Sequence, residues 1–135
     1  MATFSIVMLV CADLTRSRDF YRDLLGLPVR QDLPKRPVRF ELGNGAVLSL
    51  HRKSDVLAVR PGSLQLGFVV DDVDRFVADC VARGVPIFQD PYDEPFGRVA
   101  VIGDPDGYPL QVGTLRKRPS TGPALSERSE SKGSG

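Results

Sequence analysis

Two cysteines, one histidine and no long hydrophobic run set the first limits on this 135-residue chain. Cys11 and Cys80 are too few for a disulfide framework and lack metal-ligand spacing, so both are read as buried, reduced thiols. No apolar stretch approaches the roughly 18–20 residues a spanning helix needs, and the Met-Ala-Thr-Phe-Ser start has no basic n-region. Neither a membrane partner nor a signal peptide is therefore expected, and a cytoplasmic location follows by default. A basic stripe interleaved with aromatics is also missing, which argues against a nucleic-acid partner. Arg116-Lys117-Arg118 reads as the solvated end of a last strand.

What is present is ordinary globular composition, with 41% apolar and 26% charged residues. That suffices for one domain with a core. The net charge of +1 divides into −2 over residues 1–115 (13 Lys/Arg, 15 Asp/Glu) and an excess of base beyond them. Residues 119–135 are rich in Ser, Gly and Pro and are expected to be a disordered tail following a domain over 1–118.

The chain repeats itself. Met8-Leu-Val-Cys-Ala-Asp13, a helical pattern and Gly26-Leu-Pro-Val29 return as Gly67-Phe-Val-Val-Asp-Asp72, a helical pattern and Gly84-Val-Pro-Ile87. The offset is 59 residues at the aspartates and 58 at the Gly-x-Pro elements. Asp13 or Thr15 caps the first helix, with apolar positions Leu14, Phe20, Leu24 and Leu25. Asp71 or Asp72 caps the second, with Val73, Phe76, Val77, Cys80 and Val81 on one face. Gly26 and Gly84 suit left-handed helix ends, and Pro28 and Pro86 forbid continuation.

Each repeat closes with a hairpin. Val38–Leu42 and Ala46–His51 flank Gly43-Asn44-Gly45, and Arg98–Ile102 and Tyr108–Leu115 flank Asp104-Pro-Asp-Gly107. Segments 30–37 and 89–97 read as loops or lids. The fold class is thus α+β, two βαβββ modules over about 4–53 and 63–115. Alternation assigns Val7, Leu9, Phe40, Leu42, Leu48, Leu50, Leu66, Phe68, Val70, Leu110 and Val112 to a helix-packed face. The opposite face carries Ile6, Met8, Arg39, Glu41, Val47, Ser49, His51, Gln65, Gly67 and Gln111, and is either solvated or lines a cleft.

The segment Val10-Cys-Ala-Asp-Leu-Thr-Arg-Ser-Arg-Asp-Phe-Tyr-Arg-Asp-Leu-Leu-Gly-Leu-Pro-Val29 resembles the opening of the vicinal oxygen chelate superfamily. Glyoxalase I, bleomycin-resistance proteins and extradiol dioxygenases belong to it. Phe96-Gly97-Arg98 and Asp104-Pro-Asp-Gly-Tyr108 extend the likeness over about residues 4–115. The resemblance implies a mixed sheet curled into a cleft, with helices on the outer face, and a homodimer. Metal-using members place four ligands on the cleft face, and the matching positions here are Ile6, Ser49, Gln65 and Gln111. Isoleucine has no donor and Ser and Gln are neutral, so neither metal nor cofactor is expected. A slip of two along a strand would bring in Met8 or His51. The loop at Phe96 and Arg98 is similar to one that binding members place against a ligand.

These residues together point to a metal-free small-molecule binder of the antibiotic-resistance type. Its near-neutral balance makes a strongly cationic drug such as bleomycin a less natural ligand. Two alternatives stand beside it. One is an enzyme: a metal-dependent isomerase, lyase or dioxygenase with a non-standard ligand set, or a metal-free acid–base catalyst on His51 and Glu41. The other is a non-catalytic dimerisation domain.

Overall fold

Asp13 and Asp72 each leave an extended strand and turn the chain into a helix by the same device. In the computed structural model, which describes residues 1–54 and 56–114, the Asp13 carboxylate accepts from the Arg16 N–H at 3.1 Å and Asp72 from Arg75 at 3.0 Å. Of the capping alternatives the sequence offers, these two are used. The first module runs β1 (Ile6–Cys11), α1 (Leu14–Asp19), β2 (Val29–Gln31), β3 (Val38–Gly43) and β4 (Ala46–Arg52). The second runs β5 (Leu66–Val69), α2 (Val73–Ala82), β6 (Ile87–Glu94), β7 (Gly97–Gly103) and β8 (Pro109–Gly113). Each forms a four-stranded mixed sheet, ordered β1-β4-β3-β2 and β5-β8-β7-β6, with the first and last strands of the module parallel. The two βαβββ modules are therefore present. The expected tail, 119–135, lies outside the described residues.

A glycine with positive φ follows each helical segment, Gly26 at 68° after the turn that continues α1 and Gly84 at 76° after α2. At the second, the Val85 N–H returns to the Cys80 carbonyl at 2.9 Å. The helix-packed face is apolar as alternation requires. Leu9, Phe40, Leu48, Leu50, Leu110 and Val112 are fully buried, and Val7, Leu42, Leu66, Phe68 and Val70 pack against them. Burial of such side chains contributes about 1.5–3 kcal/mol each, so this face dominates stability.

Three elements differ from the sequence reading. Segment 30–37 begins inside β2, whose Val29 pairs with Phe40. Segment 89–97 is mostly strand: β6 continues to Glu94 and pairs with β7 through register shifts on either side of Gln89. Those shifts and its place at the sheet edge accommodate Pro91, which has no N–H to donate. Finally, α1 opens after Asp19 into a π-helical turn, Phe20–Leu24, with Leu25 N–H reaching the Phe20 carbonyl at 3.4 Å. Its buried face is Leu14, Ser17 and Tyr21, whereas Phe20, Leu24 and Leu25 are only partly buried.

Tyr21 is what joins the modules. Its hydroxyl donates to the buried Asp104 carboxylate at 2.6 Å, and Asp104 also accepts from the Asp106 and Tyr108 N–H groups at 2.8 and 2.9 Å. Asp106 in turn accepts from Ala12 N–H at 2.9 Å and Ser17 Oγ at 3.2 Å. The Tyr108 hydroxyl donates to the Val10 carbonyl at 2.9 Å. The β7–β8 turn is thereby bolted onto the β1–α1 corner. Burial pushes the Tyr21 hydroxyl and the Asp104 carboxyl up, and the Cys11 thiol up to about 12. Cys80 is pushed up to about 11, also by burial, so neither thiol is a ready nucleophile.

Candidate functional site

On the first sheet, the face away from α1 is set by register. Met8 lies beside Ser49, and Ser49 beside Arg39; the next row is Ile6, Val47 and Glu41. Ser49 is fully buried while Met8 is 58% exposed, so the thioether sits at the rim and the hydroxyl at the floor. Ser49 Oγ lies 2.9 Å from His51 Nε2 and 3.4 Å from Arg39 Nε. A guanidinium only donates, so Ser49 accepts from Arg39 and donates to Nε2, which places the proton of the neutral imidazole on Nδ1. Burial first and Arg39 second hold the His51 pKa below its usual value. This Ser–His pair is no nucleophile–base pair. Its serine is sealed from solvent, and Ser49 is the one side chain hydrogen-bonded to His51 among the described residues.

Glu41 and His51 are not brought together. Glu41 stands opposite Val47 and takes a two-pronged bond from Arg30 on β2.

On the second sheet, Gly67, Gln111 and Val101 form one row and Val69, Gly113 and Val99 the next. Gln65 precedes β5 and is exposed. The Phe88 ring lies over Gly103, where an added Cβ would fall 2.5 Å from the ring. Phe96, 44% exposed, marks the β6–β7 turn. Arg98 shares the side of β7 that carries buried Ala100 and Ile102, and it is held there by Asp74 of α2 at 2.8 Å and Asp93 at 3.0 Å. The guanidinium keeps the Asp74 carboxyl below its usual range. Arg98 thus stands on the helix side of the sheet, away from Gln111.

An apolar hollow of about 490 Å³ opens along the seam between the modules. Leu27, Pro28 and Leu42 line it from the first module and Leu66, Gly67 and Phe68 from the second, with Glu41 the one acidic side chain on its wall among the described residues. Sequence reasoning did not bring these residues together, because Leu42, Leu66 and Phe68 belong to the core-facing set. Their partial exposure arises only where one module ends against the other.

The donor set does not fit a divalent first-row metal. Ser49 is neutral and already engaged by Arg39 and His51, Ile6 has no donor, and Gln65 and Gln111 offer neutral amides. The nearest fixed charge to Ser49 is a guanidinium, which opposes a cation. Among the described residues no three His, Cys, Asp or Glu side chains converge.

A family profile settles the ancestry of this architecture: the Glyoxalase/Bleomycin resistance protein/Dioxygenase superfamily matches residues 3–112. The chain belongs to that superfamily. Among solved members, it is similar to TnmS3, an antibiotic binding protein from Streptomyces sp. CB03234, at 28% identity and TM-score 0.69, covering 85% of this chain and 97% of that one. It is also similar to lactoylglutathione lyase from Agrobacterium tumefaciens, at 25% identity and TM-score 0.65, covering 84% and 94%. A glyoxalase-related enzyme from Fulvimarina pelagi, 24% identical with TM-score 0.71 over 84% and 88%, shares the fold. No curated protein matches in sequence. No described helix is long and apolar enough to cross a membrane.

Proposed function

We propose that this chain is a metal-free binding protein that sequesters a flat or hydrophobic small molecule between its modules. The observation that carries the reading is the seam hollow. Its volume of about 490 Å³ and its Leu and Phe walls match the size and polarity of ligand pockets generally. The likeness to an antibiotic binding protein supports the same reading. A second copy of the chain fits this reading, because β1 and β5 are edge strands, each hydrogen-bonded on one side only.

Gly67 gives a direct test. It borders the hollow in β5, on the other side of the strand from Leu66 and Phe68, with nothing within 4 Å of an added Cβ, so a large side chain there crowds the rim without displacing the fold. Full-length protein is screened by thermal shift against planar aromatic antibiotics, and against zinc, nickel and manganese. The expected result is stabilisation by an aromatic ligand, lost in Gly67→Phe at unchanged melting temperature. Near-stoichiometric metal, lost in His51→Ala, would overturn the reading in favour of a metal-dependent enzyme.

A further inference from the structure

A separate hollow on the helix side of the first sheet is lined by four cationic side chains and a single carboxylate. The loop between β2 and β3 makes a tight turn, Leu33-Pro34-Lys35-Arg36, closed by Arg36 N–H to the Leu33 carbonyl at 3.2 Å. Pro34 and Lys35 occupy its two central positions, and Lys35 has φ 65°. Such a turn ordinarily takes Gly or Asn there, because a side chain is strained in the left-handed region. Lys35 and the neighbouring Arg36 line a hollow of about 330 Å³. Arg18 of α1 and Arg52 at the end of β4 supply the other cations. Arg52 is out of pattern: it continues the face of Leu48 and Leu50, both fully buried, where alternation asks for a hydrophobe.

One carboxylate lines this hollow. Asp32 is 3.5 Å from Arg18, which also binds Asp19 at 2.9 Å. Among the described residues no carboxylate lies within 4.0 Å of Lys35, Arg36 or Arg52. The setting reinforces the local charge: residues 1–60 carry ten Lys/Arg against six Asp/Glu, whereas 61–114 carry three against nine. An adjoining hollow of about 150 Å³ shares Lys35, Arg36 and Arg52 and extends to His51. Guanidinium and ammonium side chains lining one small concavity suit an oxyanion, which takes several charge-assisted hydrogen bonds at once.

We infer that this hollow binds a small oxyanion, the phosphate or carboxylate group of a soluble metabolite. Lys35, Arg36 and Arg52 are its contacts, and Asp32 holds Arg18 at the wall. The site is independent of the seam hollow, with which it shares no lining residue.

Full-length protein is titrated calorimetrically with inorganic phosphate and, separately, succinate, at ionic strength held constant with chloride. Saturable binding of one anion per chain is expected, weakened at least about tenfold in the Arg36→Gln/Arg52→Gln double variant. Lys35→Gly removes a charge and relieves the left-handed strain together, so affinity falls while the melting temperature holds or rises. A variant that merely destabilised the loop would lower both. Tighter phosphate than succinate assigns a phosphate ester, and the reverse a dicarboxylate. Unsaturable binding, or equal affinity in the double variant and in a control that changes Arg75→Gln on α2 and Arg83→Gln just after it, would overturn the inference.

Discussion

Tyr21→Phe isolates one of the bonds that join the modules. The substitution removes one hydroxyl and keeps the ring, which packs edge-on against Phe20 at 5.1 Å and tilted against Phe40 at 6.2 Å. What is lost is a 2.6 Å hydrogen bond to a buried carboxylate. Bonds of that charge-assisted kind contribute about 1.5–3 kcal/mol, so a cost of about 2 kcal/mol is expected at neutral pH. For a domain of this size that is a fall of roughly 6–12 °C in Tm. The cost depends on pH. Burial raises the folded pKa of Asp104 above its unfolded value, while the Tyr21 hydrogen bond and two backbone N–H groups hold it down. A raised carboxyl contributes stability that is present below the unfolded value and lost as pH rises through the folded one. Without Tyr21 the folded pKa climbs further, so the variant is worst at neutral pH. As Asp104 protonates, the bond becomes an ordinary neutral one, and the gap narrows to about 1 kcal/mol. Urea melts of wild type, Tyr21→Phe, Asp104→Asn and the double variant at pH 7 and at pH 3.8, where a carboxyl with a raised pKa is mostly protonated, measure this. A gap under about 0.5 kcal/mol, the same gap at both pH values, or full additivity of the two substitutions would refute the reasoning.

Gly97→Ala is expected to cost about 2–4 kcal/mol, because at φ 152° its Cβ would stand 1.9 Å from the Thr114 carbonyl oxygen; denaturant melts showing a near-neutral effect would remove the constraint. Arg39→Gln should raise the His51 pKa, since after burial Arg39 is the charge that depresses it, and an NMR titration of the single imidazole reads the change directly. With a folded pKa below the unfolded 6.5, neutral His51 contributes stability present above that value and lost as pH falls through the folded one, so His51→Gln should flatten the stability profile just below pH 6.5.

Much of the fold was legible because alternation and capping are local rules. Leu48 and Leu50, Asp13 and Asp72, and the Asn44-Gly45 turn with φ of 54° and 82° all follow from a few neighbouring residues. The junction was not. Ser17 and Tyr21 share the buried stripe of Leu14 but carry hydroxyls, so a count of hydrophobes passes over them. Their partners, Asp104 and Asp106, are 83 and 89 residues away. At the candidate site, sequence could name the face but not the neighbours across it. Only the parallel register of β1 and β4 shows that Met8, two residues beyond Ile6, is the residue beside Ser49.

The bolt at the module boundary has a consequence for how the polypeptide can be cut. Between β4 and β5, residues 53–54, 56–62 and 64–65 are exposed or half-exposed, and the polar ties between halves run from the β7–β8 turn to the β1–α1 corner instead. Continuity of the backbone through that connector is not what aligns the two halves. Expressed as separate fragments ending and beginning in it, they should find each other through Tyr21, Asp104 and Asp106, giving a two-piece protein whose reassembly can be coupled to a reporter.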